Sequence, residues 1–265
     1  MTTQDKVNEM KRMILLSAHQ AGEGHIASAF SILDALYVLY QAHVTYDTSD
    51  PRNSDRDYVI LSKGHGCLAL YAVLASCGFF PSEKLSTFCK FGSDLGGHPH
   101  CCKIPGVEAS TGSLGHGLPM AVGIAKALKM KGKSNKVYCI VGDGELNEGS
   151  CWESLLIAEQ HELDNLVLLV DHNHSNDRAI SYGIKNGHGL RDKLGVFGCQ
   201  ISEVNGHDHK SLDWALSLRN WPGKVHAIML ATVKGNGVKE MENNPAWHHR
   251  APTAEELTRF LEELK

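Results

Sequence analysis

"VYCIVGDGELNEGSCWESLLIAEQHELDNLVLLVDHN", residues 137–173, decides the fold. An apolar run stops abruptly at Gly142-Asp143-Gly144, a helix-like pattern containing Trp152 follows, and a second apolar run, "LVLLV", stops at Asp171-His172-Asn173. Strand, crossover helix and strand within one short stretch make a βαβ unit, so the two strands run parallel and end on the same rim of a sheet. Ligands of such sheets bind outside the carboxyl ends of the strands. Asp143 and Asn173 therefore face the same crevice.

The pattern extends along the chain. "DYVILS", "CQISEV" and "KVHAIML" are further short apolar runs, each closed by Gly, His or Asn, while Val7, Met10, Met13, Ile14 and Ala18, and then Ile32, Leu33, Leu36, Leu39 and Tyr40, recur at helical spacing. The expected fold class is α/β: a mostly parallel sheet with helices on both faces. "EELTRFLEEL" at 255–264 reads as an amphipathic closing helix, and Trp152 reads as helix core. Residues 88–115 and 171–190 are the longest irregular stretches, both rich in His and Gly, and loops of that length inside a compact domain carry function.

Composition narrows the function classes. A chain of 265 residues, 42% hydrophobic, can bury one large core, and a net charge of −4 without a basic stripe argues against a nucleic-acid backbone binder. No apolar run is long enough to span a bilayer, and the first residues lack a secretory pattern, so a cytoplasmic location is expected. The eight cysteines have no framework spacing and are expected to be reduced. His98, His100, Cys101 and Cys102 would suggest zinc, but no complementary cysteine pair accompanies them. Most of the sixteen histidines, His161, His207 and His226 among them, read as surface or internally satisfied groups. His65, between two glycines, does not read as a core residue.

One carboxylate and one amide oxygen on adjacent strand ends, with glycines that let backbone N–H groups come close, suit a hard cation that keeps coordination for phosphate oxygens. The junction reads as Mg²⁺ plus a diphosphate. An isolated "GDG" is also a common turn; the second strand end separates the two readings.

The run from Gly142 to Asn173 resembles the thiamine diphosphate fingerprint, in its transketolase version. Six further motifs agree in order: "GEGHIASAFSILDALYVLY" from 22, "LSKGHGCLALYAVL" from 61, "GGHPH" from 96, "STGSLGHGLPMAVGIA" from 110, "FGCQISEVNGHD" from 197 and "VKGNGVKEMENNPAWHHRAP" from 233. The resemblance covers nearly the whole chain and implies a single diphosphate-binding domain of transketolase type over 1–265, with a thiamine diphosphate-binding fold. It makes Asp143, Asn173 and the backbone of Ser175 the metal ligands, for Mg²⁺ with Ca²⁺ or Mn²⁺ able to substitute. Cofactor contacts fall to His65, Gly112, Ser113, Leu114, Gly142, Asp143, Gly144, Glu145, Asn173 and His248. His25, His98 and His248 become the acid/base groups, and Glu148 part of a carboxylate network between paired active sites.

The glutamate that activates the cofactor belongs, in this family, to a pyrimidine-binding domain that these residues do not contain. The resemblance thus implies a split transketolase, which transfers a two-carbon ketol unit from a ketose to an aldose. This half is expected to catalyse nothing alone and to be active with a separate chain that supplies the pyrimidine-binding half, as a heterotetramer with a second copy of itself. Its sugars are expected to be phosphorylated, with no nucleic acid or membrane partner. A 1-deoxyxylulose-5-phosphate synthase-like or 2-oxoacid dehydrogenase E1-like subunit would share the metal site, and a non-catalytic scaffold subunit would share the fold. Two departures stand out. "NHSNDRAISYG" from 173 puts Asp177 and Arg178 where an apolar residue is usual, so either Ile180 takes that place after an insertion or the pocket is altered. "GEGH" replaces the commoner Ser-Gly-His, and Glu23 is either a solvated turn residue or a group that raises the pKa of His25.

Overall fold

The computed structural model describes residues 2–174 and 189–265. Helix α1 (Thr3–Ala21) starts in a capping box: Thr2 accepts from the Asp5 N–H and Asp5 accepts from the Thr2 N–H, which satisfies two otherwise unpaired donors. Helix α2 (Ile26–Ala42) is apolar almost all round, and each residue from Ile26 to Tyr40 is buried, as a central helix requires. Strand β1 (Tyr58–Leu61) leads through Gly64–Gly66 into α3 (Cys67–Ser76). After the irregular stretch come α4 (Gly117–Met130), β2 (Val137–Gly142), α5 (Gly149–Gln160) and β3 (Leu166–His172). The chain then runs through α6 (Leu190–Val196), β4 (Gln200–Asn205), α7 (His209–Ser217), β5 (His226–Ala231) and α8 (Ala254–Glu263).

The five described strands are all parallel, in the order β1-β2-β3-β5-β4. Successive side chains point to opposite faces. Tyr138, Ile140, Val167, Leu169, Ile228 and Leu230 pack with α1, α2, α3, α7 and α8, whereas Val137, Cys139, Val141, Leu166, Leu168, Val170 and Ala227 pack with α4, α5 and α6. With both faces covered, β1, β2, β3 and β5 are apolar at nearly every position, which is why they read as short continuous runs, while the edge strand β4 is only partly buried. The expected α/β class, with helices on both faces, is what the structure shows.

Within α2 one buried charge stands out. Asp34 accepts from His207 Nδ1 at 3.0 Å and His209 Nε2 at 2.7 Å. Burial would raise this carboxyl, yet those bonds and Lys11 hold it at about 2. His207 and His226, the latter bonded to Ser202 at 2.9 Å, are internally satisfied as their sequence context suggested. Helix α8 has its own capping box, Thr253 with Glu256, and sets Phe260 edge-on against Trp247 at 5.3 Å. Trp152 is half-buried; its indole N–H donates to Leu146 O at 2.7 Å. All eight cysteines are free. No described helix is long and apolar enough to cross a membrane.

Candidate functional site

Four strands deliver polar groups to one rim. β1 runs on into Ser62 and Lys63, β2 into Asp143, β3 carries Asp171 near its end with Asn173 just beyond, and β5 runs on into Thr232 and Lys234. Gly142 stands beside Asp171, and the Asp143 N–H donates to Asp171 O at 3.1 Å. The βαβ geometry thus brings Asp143 and Asn173 to one edge, as expected.

The two acidic groups there differ in role. Lys63 reaches past Gly142 to form a buried ion pair with Asp171, whose other donors are Ser31 at 2.6 Å and Thr232 at 2.5 Å. Burial would raise the Asp171 carboxyl, but Lys63 and these bonds outweigh it and hold it below the usual value. Asp171 also accepts from Asn173 Nδ2 at 2.9 Å. A carboxylate only accepts, so this bond turns the amide nitrogen inward and leaves the carbonyl as the end suited to a cation. Among the described residues Asp143 has no such paired counter-ion. Burial, and then repulsion from Asp171, raise its carboxyl above the usual value, against the pull of the Gly144 N–H, Lys63 and His172. A carboxylate so placed gains from a bound cation. Among the described residues no three His, Cys, Asp or Glu side chains are placed to hold a metal. A cation at Asp143 therefore has to draw on the Asn173 amide, backbone and a ligand's own oxygens, which fits Mg²⁺ with a diphosphate. Ser175, and with it Asp177, Arg178 and Ile180, lies outside the described residues.

Above this rim the structure gathers histidines from four separate segments. Around His25 the ring centroids of His65, His248 and His98 lie at 5.3, 5.4 and 6.4 Å. Burial, followed by the field of Lys63, pushes His65 down to about 2, and burial with neighbouring histidines pushes His25 to about 4. Burial and then Lys234 lower His248 as well. Lys234 Nζ donates to His248 Nδ1 at 2.9 Å, which leaves the proton of the neutral ring on Nε2. Burial and Lys63 lower Lys234 itself. Glu23 does not raise His25; its carboxylate leans instead on His249, 3.8 Å away.

The loop with Gly112, Ser113 and Leu114 borders this cluster. A side chain at Gly112 would meet the His98 ring at 3.0 Å, while Ser113 and Leu114 are exposed. Gly64 makes an even closer approach: a Cβ there would stand 2.8 Å from Gly112 N and from Thr111 C and O. Only glycine lets the "KGHG" and "TGSLG" segments touch. Gly64→Ala should therefore cost about 1–3 kcal/mol and displace His65, read as a lower midpoint in urea; an unchanged midpoint would show that the backbones part without penalty.

Two expected cofactor contacts sit differently. Glu145 is buried, and its carboxylate is taken up by Ser62, Gly115 N–H at 2.9 Å and Gly142 N–H at 3.2 Å, so it braces the rim and does not face the histidines. The Gly144 N–H donates to Asp143 Oδ1 at 2.7 Å and so orients that carboxylate. Glu148, expected in a carboxylate network between paired active sites, is exposed at the start of α5. Sequence reasoning missed Lys63, Asp171, Lys234 and His249; all four lie inside quoted motifs, and only strand register and ring stacking distinguish them.

Comparison with known proteins identifies the family. Residues 2–264 match the family described as "Transketolase, thiamine diphosphate binding domain". The chain is 40% identical over 255 residues to an apulose-4-phosphate transketolase subunit of Actinobacillus succinogenes, covering 96% of this chain and 92% of that protein. It is 34% identical over 263 residues to 6-deoxy-6-sulfo-D-fructose transketolase subunit SqwG of a Clostridium species, covering 99% and 96%. Human transketolase is 34% identical over 264 residues, with 98% of this chain matching 41% of the human one. Transketolase from Leishmania mexicana superposes with a TM-score of 0.89 at 27% identity, over 100% of this chain and 41% of that one. The chain belongs to the transketolase family, as a thiamine diphosphate-binding domain of the kind found in the subunits of split transketolases.

Proposed function

We propose that this chain is the diphosphate-binding subunit of a cytoplasmic, Mg²⁺-dependent transketolase that moves a two-carbon ketol unit from a ketose to an aldose, both phosphorylated, once a partner chain supplies the pyrimidine-binding half. The observation that carries the reading is the convergence of His25, His65, His98 and His248 over a rim holding Asp143, Asn173 and Lys234. Thiamine diphosphate, when bound, supplies the carbon nucleophile and electron sink that ketol transfer needs.

Each protein group then has a limited task. Asp143 and the Asn173 carbonyl hold the cation, with the Ser175 backbone as the proposed third ligand; His65 and Lys234 donate to diphosphate oxygens. Gly112, Ser113 and Leu114 line the side of the cofactor's rings. His25 and His98 take protons from sugar hydroxyls and return them, and the Nε2–H of His248 donates to a sugar oxygen. His25, His65 and His248 are neutral at pH 7, because burial holds them below the ordinary imidazole value. Neutral rings can accept as well as donate protons.

The exposed apolar residues Met120 on α4 and Leu156 and Ile157 on α5, together with Leu114, supply a surface suited to further chains, and Glu148 stands at the same helix start. A partner chain with a second copy of this one, in a heterotetramer, is the assembly we infer. The relatives from Actinobacillus succinogenes and the Clostridium species are themselves named as subunits, which supports a separate partner.

The test is calorimetric titration of thiamine diphosphate and Mg²⁺ into this chain, alone and with its partner, followed by a ketol-transfer assay. Turnover confined to the mixture is expected; turnover by this chain alone would overturn the shared-site reading. In the mixture, His25→Ala and His98→Ala should each lower kcat by about 10²–10⁴-fold with little change in cofactor affinity. His65→Ala should weaken cofactor binding first. Unchanged kcat in the first two would remove those rings from proton transfer.

A further inference from the structure

Beside the histidine cluster lies a cavity of about 260 Å³ bordered by Glu23, His25, His98 and His249. His249 stacks on His25 with centroids 4.3 Å apart and planes at 30°, and its Nε2 stands 3.8 Å from Glu23 Oε2. Glu23 and His249 are each about half exposed, so both present polar atoms to the opening. Glu23 is the sole Asp, Glu, Lys or Arg among the described residues lining this cavity. The cations of the site, Lys63 and Lys234, stand elsewhere, against Asp171 and His248. Burial, then Glu23, pushes the neighbouring Cys89 thiol up to about 12, so that group is a neutral neighbour.

A wall with one carboxylate and no cation repels a phosphate or sulfonate, whereas a carboxylate can accept from one hydroxyl while the imidazole beside it donates to the next. We infer that Glu23 and His249 form a specificity subsite for the uncharged, hydroxyl-bearing carbons of the ketose beyond the bond that breaks. This rests on the ketol-transfer reading.

The test uses the assembled complex and two donors. Erythrulose carries two hydroxylated carbons beyond the broken bond; hydroxypyruvate loses carbon dioxide there and carries none. Glu23→Gln keeps the shape and removes the charge, and His249→Phe keeps a ring stacked on His25 and removes its polar atoms. For each, kcat/KM with erythrulose should fall about tenfold, mostly through KM, while with hydroxypyruvate, whose own carboxylate the Glu23 charge opposes, it should not fall. Equal losses with both donors, or none with erythrulose, would overturn the subsite while ketol transfer stands. A wild-type complex that turns over neither donor would overturn the ketol-transfer reading and this inference with it. Thermal unfolding of each variant, matched to wild type, separates recognition from misfolding.

Discussion

Asp143→Asn should abolish metal-dependent cofactor binding and, at the same time, make the empty protein more stable. The carboxylate is buried, its pKa is raised by that burial and by the nearby Asp171 charge, and the Gly144 N–H is the donor that bonds it directly. Replacing it with an isosteric amide removes both unfavourable effects, for a gain of about 1 kcal/mol, or about 2–4 °C in Tm for a chain of this size. The same change removes the anionic ligand of the proposed Mg²⁺ site. Loss of an outer partner of a metal site already costs about 10–100-fold in affinity, so loss of this inner ligand should exceed about 100-fold. Calorimetry with thiamine diphosphate and Mg²⁺, paired with thermal unfolding without either, reads both signs. Retained binding would displace Asp143 from the site; a lower Tm would show that its charge is already compensated in the empty protein.

The pairing of Asp143 with Asn173 was legible because its signal is local: two strand ends, separated by one crossover helix, must share a rim whatever the rest of the chain does. Strands β1, β2, β3 and β5 were legible for a related reason, since burial on both faces makes each a nearly unbroken apolar run, whereas edge strand β4 was legible only as a short run with Ile201 and Val204. The histidines were legible through the resemblance, and His65 also through its flanking glycines, though their grouping around His25 joins segments from residue 25 to residue 248 and only the folded chain supplies it. Glu145 shows the opposite case. It sits in the most informative motif, next to Gly144, yet the short helical turn at Glu145–Asn147 directs its carboxylate down to Ser62 and Gly115. Sequence position gave proximity to the site; backbone direction decided the role. The ion pair of Lys63 with Asp171 was invisible, because β1 and β3 are not neighbours and β2 lies between them.

That ion pair should dominate the stability of the rim. Lys63 is 2% exposed and Asp171 fully buried, so the lysine is the counter-ion on which the buried carboxylate relies. Lys63→Met leaves a buried carboxylate with two hydroxyl donors and the Asn173 amide but no counter-ion, and removal of one partner from such a pair costs about 3–5 kcal/mol. The loss should depend on pH with a defined sign. In the wild type the Asp171 pKa lies below its ordinary value, so its contribution is present above the unfolded pKa and is lost as pH falls through the folded one. In Lys63→Met burial is unopposed by the lysine and the folded pKa moves above the unfolded value. The folded state then takes up a proton that the unfolded state does not, so the deficit is largest near neutral pH and shrinks as pH falls toward the unfolded value of about 3.9. Urea unfolding of wild type and variant from neutral to mildly acid pH should show their midpoints converging. A deficit that stays constant over that range would mean that Asp171 keeps its charge without Lys63, stabilised by Ser31, Thr232 and Asn173 alone. The order of the strands makes this more than a stability question. Lys63 precedes His65 by two residues, and Asp171 precedes Asn173 by two, so the pair ties a proposed diphosphate contact just after β1 to a proposed metal ligand just after β3. Cofactor affinity in Lys63→Met should accordingly fall along with stability, even at a pH where the protein is fully folded.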